Sequence, residues 1–405
     1  MSDLPIETAS FSAEVAVVGG GPAGLVTAIA LAAAGVETIL IAPFAKPDHR
    51  TTALLSGSVA ALETLGAWRN CAPHAAPLKK LRLVDATERL FRAPEVLFDA
   101  AEIGLDAFGH NIENRYLLVA LEERAMELRI PRIAEPASAI VVDAAGVTLG
   151  HGDGHSRVRL VIGADGARSL CRAAAGIATR RRIYSQTALT LNLGHARPHH
   201  DTSTEFHTAS GPFTLVPLPG RRSSLVCVLR PETASGLVAM DDAALAVEIE
   251  RRAHALLGTM TVEPGRGAFP LAIETAAACG RDRIALVGEA AHVVPPIGAQ
   301  GLNLGLRDGA TLAEIIVDAR RAGVDVGAPE IMRHYETTRR ADVTSRTAAV
   351  DLLNRSLLSG FFPVHGARGL ALYLIDRIGP LRRAVMREGV SPTASQPRLM
   401  RGEML

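Results

Sequence analysis

The sequence predicts an α/β protein. A Rossmann-like domain is interrupted by an inserted, mainly antiparallel β-sheet and ends in a helical C-terminal region. Three stretches carry that prediction. Residues 14–42 read strand, glycine turn, helix, strand. Between residues 187 and 229 the period changes to short strands divided by Pro, Gly and polar clusters. Residues 283–316 again run from an apolar β-run through a Pro/Gly loop into a helix.

The first stretch is the most informative. Its turn carries G-x-G-x-x-G at Gly19, Gly21 and Gly24. The first glycine makes the turn, the second lets a pyrophosphate approach the backbone, and the third lets the helix pack on the strand. The pyrophosphate is then expected at the helix N-terminus, where free N–H groups and the dipole favour anions. A membrane span competes for the uncharged residues 15–36, but three consecutive glycines and a proline in the first half argue against it. An acid is expected just past the second strand to hold ribose hydroxyls, and Ala42 stands there instead. Glu37 precedes that strand and reads as a solvated loop charge, so the ribose is expected to be held by other groups.

Composition narrows the class. A chain of 405 residues suggests roughly two or three domains with ample core. The 43 basic and 42 acidic residues nearly cancel, which gives no general electrostatic reason to bind nucleic acid. Cys71, Cys171, Cys227 and Cys279 are far apart and match no metal spacing. They read as reduced cysteines of a cytoplasmic protein, and the short polar N-terminus shows no secretory signal.

The remaining stretches follow in order. Ala42 to Arg50 is a polar loop, and Arg50 is its charge best placed to reach back to a phosphate. Ser56 or Ser58 is expected to cap the helix carrying Val59, Leu62 and Leu65. Residues 78–98 alternate around a polar turn at 86–88, a candidate β-hairpin. Residues 112–130 are helical, with Leu117, Leu118, Leu121 and Met126 as the apolar face. Arg115 in that helix's first turn opposes the dipole and is expected to face an anion. A strand at 158–162 runs into Asp165-Gly166, at the strand end where ligands of open α/β sheets gather. His195, His199, His200 and His207 invite a metal reading, but they lack a carboxylate or cysteine at ligand spacing, and no metal is expected. Residues 241–257 form an amphipathic helix.

In the third stretch the β-run ends at Gly288-Glu289, and Pro295, Pro296, Gly298 and Gly301 line the loop before a helix at 303–316. Backbone N–H groups near Gly301, Leu302 and Asn303 would face an anionic or electron-rich group, and Glu289 would accept from sugar hydroxyls. The last region, from 331, is largely helical. Its apolar segments interleaved with basic residues suit core packing, a subunit or partner groove, or a membrane surface. The last ten residues read as disordered.

GGGPAG at 19–24, GADGARSLCR at 163–172 and GEAAHVVPPIGAQGLNLGLRD at 288–308, in this order, resemble the group A flavoprotein aromatic hydroxylases of the para-hydroxybenzoate hydroxylase fold. The resemblance covers residues 12 to about 390. RTTALLSGSVAALETLGAW, STEFHTASGPFTLVPLPG and the GEAAH loop are most similar to ubiquinone-biosynthesis hydroxylases. The resemblance implies an FAD-binding domain of GR2 type in three parts, at 1–77, 99–180 and 276–345. Residues 78–98 then give the substrate domain a hairpin, 181–275 its main part, and 346–405 the helical C-terminal region.

It also implies roles. Gly19, Gly21 and Gly24 would hold the FAD pyrophosphate, and Arg50 and Arg115 match basic positions lining FAD. Asp165 and Gly166 match a motif serving both FAD and reduced nicotinamide. Glu289 stands where most members have Asp. Gly298, Gly301, Leu302 and Asn303 would border the flavin, the last two through backbone N–H groups, and the Pro296 carbonyl would orient the phenol. The implied activity is hydroxylation of a polyprenylated phenol on the route to ubiquinone, through a C4a-hydroperoxyflavin, with NAD(P)H as transient electron donor and O2 as co-substrate. Three alternatives stay open: the same chemistry on another small aromatic, a flavin reductase acting on prenyl double bonds, and a catalytically silent FAD-fold subunit of a biosynthetic complex. The reading places the protein in the cytoplasm, with peripheral attachment to the inner face of the membrane and homo-oligomerisation both left open.

Overall fold

The computed structural model describes residues 12–44, 48–87, 94–358, 373–375, 377–390 and 396–405. Strand Ala13–Val18 lies between Gly154–Gly163 and Thr38–Ile41, parallel to both. Ile284–Leu286 extends the sheet beyond Gly154–Gly163, and Arg132–Ile133 extends it beyond Thr38–Ile41. Buried on both faces, the central strands are continuously apolar over Val15–Val18, Ile39–Ile41 and Leu160–Ile162 rather than alternating. Helix Pro22–Ala33 leaves the first strand through the glycine turn with Pro at its start, where no N–H is needed. It packs on helix Gln300–Arg321. The two backbones come close because both helices carry small residues: a side chain at Gly305 would meet Gly288 and Ala23, and one at Gly309 would strike Thr27.

The second sheet contains the inserted strands. Its order is His292–Val293, Gly267–Ala276, Thr179–His195, Arg222–Leu229, Gly211–Leu218, Thr202–Thr208, Lys80–Asp85 and Val96–Asp99. The hairpin expected at 78–98 is present as the antiparallel pair Lys80–Asp85 and Val96–Asp99; Glu88 of its turn lies outside the described residues. Lys80–Asp85 joins the sheet edge parallel to Thr202–Thr208. Strand alternation gives the sheet two different faces. Leu189, Leu191, Phe206, Phe213 and Cys227 pack under helices Pro231–Ala239 and Asp242–Arg252. The other face, with Thr190, Asn192, Glu205, Thr214 and Val226, walls a cavity.

Helix Pro329–Leu358 packs on Gln300–Arg321. Helix Gly379–Val390 closes one end of the hairpin, with Met386 buried among Val96, Phe98 and Phe108.

Several local expectations are corrected. Neither Ser56 nor Ser58 caps its helix: the helix starts directly off strand Thr51–Leu55, Leu55 holds the cap position, and the Ser58 hydroxyl turns to Asn303. In helix Asn114–Glu127, Leu117, Leu118 and Leu121 are buried, but Met126 is 65% exposed. The small Ala120 and Ala125 take the buried stripe instead. The last helix of the third stretch begins at Gln300, three residues earlier than expected, because Ala299 turns the chain in the left-handed region at φ 55°. Residues 396–405 are ordered, and Leu399 and Met400 sit in the nucleotide-domain core.

Candidate active site

A cavity of about 1050 Å³ runs from the glycine turn to helix Gly379–Val390, at the upper end of the roughly 300–1,000 Å³ typical of small-molecule sites. At its nucleotide end the three glycines divide their tasks. A Cβ on Gly19, whose φ is +121°, would lie 2.2 Å from the Ala164 carbonyl oxygen, and one on Gly24 would lie 2.1 Å from that of Gly19. Protein packing therefore requires both. A Cβ on Gly21 would meet nothing within 4 Å, and Gly21 faces the cavity. That open approach, at a helix N-terminus with no side-chain cap, fits a dinucleotide pyrophosphate. Ala42 is buried, and its carbonyl accepts from Arg132 Nε at 3.0 Å. The Arg132 guanidinium also donates to the Pro43 carbonyl and stacks 4.1 Å from the Phe44 ring.

Arg50 lines the cavity beside Asp48, donating to it from Nε at 2.9 Å and from NH2 at 2.8 Å. Burial pushes the Asp48 carboxyl up, but hydrogen bonds from Arg50 and Asn114 outweigh it and hold the group below its ordinary value. Arg115 is not among the residues lining the cavity. The anion it faces is Glu113 at 3.0 Å, which is 2% exposed and shared with Arg222. Asp165 follows its strand as expected, but its carboxylate accepts from Ser169 Oγ at 2.6 Å and the Cys171 N–H at 3.1 Å. It thus fixes the start of the short helix Leu170–Ala174, while Gly166, at φ +78°, lines the cavity.

Glu289, Pro296, Gly298, Gly301 and Leu302 line the cavity around the N-terminus of Gln300–Arg321. Glu289 and Pro296 are exposed. The Asn303 side chain is buried and fully engaged. Its Oδ1 accepts from the Leu55 N–H at 2.9 Å and Ser58 Oγ at 2.7 Å, and its Nδ2 donates to the carbonyls of Ala53 and Ala299.

Sequence reasoning missed two groups. Beneath the cavity, His292, Asp308, Arg339, Asp342 and Arg307 form a buried chain of charge-assisted hydrogen bonds. His292 also lines the cavity, and its Nδ1 is buried without a hydrogen-bond partner among the described residues. Both His292 and Asp308 stand in the GEAAH…LRD run, but no local pattern pairs them. The second group is the polar set on the cavity face of the sheet: Thr190, Asn192, Glu205 and Thr214. Strand alternation carried that signal. Of the four histidines, His195 and His199 meet edge to face, with ring centroids 5.7 Å apart, and His207 is engaged elsewhere. His195 contacts the Arg197 carbonyl and Ser223, His199 the Leu218 carbonyl, and His207 Glu205. No group of three metal-ligating side chains occurs among the described residues.

The FAD binding domain family matches residues 12–349. The chain is 37% identical to the ubiquinone hydroxylase UbiL of Rhodospirillum rubrum, over 96% of this chain and 93% of that protein. It is 32% identical to the 3-demethoxyubiquinol 3-hydroxylase of Escherichia coli, over 92% and 97%. Its fold is similar to that of the p-nitrophenol 4-monooxygenase PnpA of Pseudomonas putida, with a TM-score of 0.78 at 20% identity over 96% of this chain and 100% of that one. The chain belongs to the FAD binding domain family and, within it, to the FAD-dependent aromatic hydroxylases of the ubiquinone-biosynthesis group.

Proposed function

We propose that this protein hydroxylates the aromatic ring of a polyprenylated phenol on the route to ubiquinone, drawing electrons from NAD(P)H and oxygen from O2. One observation carries the reading: a single cavity joins the glycine turn, the loop before Gln300–Arg321 and an apolar end lined by Leu81, Leu83, Phe98, Phe108 and Met386. A dinucleotide flavin, a ring and the start of an apolar tail need those three surroundings in that sequence.

When bound, FAD would carry two electrons from NAD(P)H to O2, so that one oxygen atom enters the ring and the other leaves as water. The chain's residues bind, orient and exclude water. Gly21 and the start of helix Pro22–Ala33 receive the pyrophosphate. Gly298, Gly301 and the Leu302 and Asn303 backbone N–H groups would border the flavin, with Arg50 and Glu289 alongside. Pro296, which lines the cavity, would offer its carbonyl to orient the substrate ring, and the apolar end would keep water from it. Asp165 acts indirectly, by fixing the turn that presents Gly166.

No helix among the described residues is long and apolar enough to cross a membrane. The tail instead leaves the cavity beside helix Gly379–Val390, where Leu381 and Val385 are 40% and 41% exposed next to Arg383 and Arg387. Exposed apolar residues flanked by arginines favour a peripheral contact with an anionic lipid surface.

The test is the visible spectrum of purified protein with and without added FAD, followed by NAD(P)H oxidation and O2 uptake with a prenylated phenol. Flavin at near-stoichiometric occupancy and a product carrying one added oxygen are expected. FAD binding with no phenol-dependent oxygen incorporation overturns the proposal.

A further inference from the structure

The cavity face of the second sheet holds an acid that the reading above leaves without a task. Strand by strand, Thr190, Val226, Thr214, Glu205, Leu83 and Val96 stand in register across it. Two acids line the cavity from this sheet, and they differ in their partners. Glu274 is paired with Arg172 and Arg181. Glu205 has no guanidinium or ammonium partner among the described residues. Its Oε1 lies 2.9 Å from His207 Nε2, and its Oε2 accepts from Thr214 Oγ1 at 3.2 Å. Its side chain is 18% exposed, and it lines the cavity. Each carboxylate oxygen has about two acceptor positions, and these contacts fill one on each. Three strands from Glu205, Thr190 Oγ1 is buried with no hydrogen-bond partner among the described residues.

We propose that Glu205 is the acceptor that binds and orients the phenol hydroxyl of the substrate, with His207 and Thr214 holding its carboxylate in place. The assignment rests on the aromatic hydroxylase reading and deepens it by defining the substrate class. A carboxylate with open acceptor positions takes an O–H donor strongly and repels a second carboxylate at close range. The site therefore selects neutral phenols over aromatic acids. A phenol O–H donating to a carboxylate also gains electron density on its ring, which favours attack by an electrophilic oxygen ortho or para to the hydroxyl.

The test uses FAD-loaded full-length protein titrated with ortho-prenylphenol, with or without a para carboxylate, and reads the absorbance change of the bound flavin. Wild-type protein is expected to prefer the neutral phenol. Glu205→Leu is expected to bind it roughly tenfold more weakly or worse, the loss of a hydrogen bond to a charged acceptor, and to lose the preference. Glu205→Gln, of the same shape, keeps an acceptor and is expected to fall between. FAD retention is expected to be unchanged in both, which a purely structural role for Glu205 would not produce. Should Glu205→Leu fail to fold, Glu205→Gln and Thr214→Val carry the same comparison. Equal binding of the neutral phenol by wild type and folded variants overturns the Glu205 assignment alone. A wild type that holds FAD and binds neither phenol overturns the hydroxylase reading, and this assignment with it.

Discussion

His292 Nε2 lies 2.6 Å from Asp308 Oδ2, directly beneath the cavity, and both residues are almost wholly buried. The same Asp308 oxygen accepts from the Gly288 N–H at 3.0 Å, and its other oxygen accepts from Arg339 Nε at 2.7 Å. Asp308 thus ties the loop carrying Glu289 to helices Gln300–Arg321 and Pro329–Leu358. Asp308→Asn keeps the shape and removes the charge, leaving Arg339 underpaired in the interior. Breaking a buried pair from one side costs about 3–5 kcal/mol. Denaturant titration of Asp308→Asn is expected to show a loss of that order, and a loss below about 1 kcal/mol would mean the network carries little stability.

The same network fixes an acid dependence. Burial pushes Asp342 up, but Arg307 and Arg339 outweigh it and hold its carboxyl down at about 2, against an ordinary 3.8. Asp308 is displaced in the same direction, by His292 and Arg339 against burial. A depressed carboxyl contributes stability that is complete above its unfolded pKa and is lost as pH falls through its folded pKa. Stability is therefore expected to be full above about pH 5 and to fall steeply between about pH 4 and 2, with Asp342 accounting for on the order of 2 kcal/mol. Asp342→Asn is expected to be less stable at neutral pH yet to show a shallower acid slope by thermal unfolding. An unchanged slope would remove Asp342 from this account.

The glycine turn separates ligand from packing. A side chain at Gly21 meets no protein atom within 4 Å, so Gly21→Val is expected to leave the melting temperature of the FAD-free protein within a few degrees while weakening FAD binding at least about tenfold. Gly24→Ala drives a methyl against the Gly19 carbonyl and is expected to destabilise the FAD-free protein itself. Unfolding curves without FAD, set beside fluorescence titrations with it, distinguish the two. Full FAD affinity in Gly21→Val would place the pyrophosphate elsewhere.

What could be read in the sequence was local. The turn at Gly19–Gly24, the hairpin pairing Leu83 with Val96 and the glycine loop before Gln300 each declare themselves within a few dozen residues. What escaped was set by contacts between distant segments. Asp308 meets Arg339 and Asn303 meets Leu55 across the fold, and no periodicity joins them. Arg115 stands at a helix start, but its partner Glu113 is visible only in the fold, where strand Gly109–Glu113 buries that carboxylate. Met126 has the right helical spacing, yet the buried stripe beside helix Pro22–Ala33 is taken by Ala120 and Ala125. The polar last residues conceal Leu399 and Met400, which fill a gap against helix Ser56–Thr64.

Helix Gly379–Val390 makes a prediction about lipid. Leu381 and Val385 lie one turn apart and are exposed, while Met386 of the same helix is buried on the hairpin. Leu381→Glu, at a position outside the cavity lining, is expected to weaken cosedimentation with vesicles containing phosphatidylglycerol while preserving FAD content and turnover of a short-chain prenylphenol. Equal cosedimentation of wild type and variant would show that this face is not the lipid contact.

Asn303 gives the last prediction. Its amide joins four backbone or hydroxyl groups from three segments: Leu55 and Ala53 on a strand, Ser58 on the following helix, and Ala299 at its own helix start. The residue is 2% exposed, so Asn303→Ala strands several of these groups without water. Each stranded group costs about 1–3 kcal/mol, and partial relaxation brings the expected loss to about 2–4 kcal/mol. The side chain also sets where the Leu302 and Asn303 N–H groups point, because it locks the first turn of Gln300–Arg321 to strand Thr51–Leu55. Asn303→Ala is therefore expected to shift the absorbance of bound flavin as well as lower stability. Asn303→Asp keeps the acceptor for Leu55 and Ser58 but loses both donated bonds and adds a charge at the helix start proposed to border the flavin. It is expected to bind FAD more weakly than Asn303→Ala despite its closer shape. The reverse order of FAD affinities would mean that this helix N-terminus does not face the flavin.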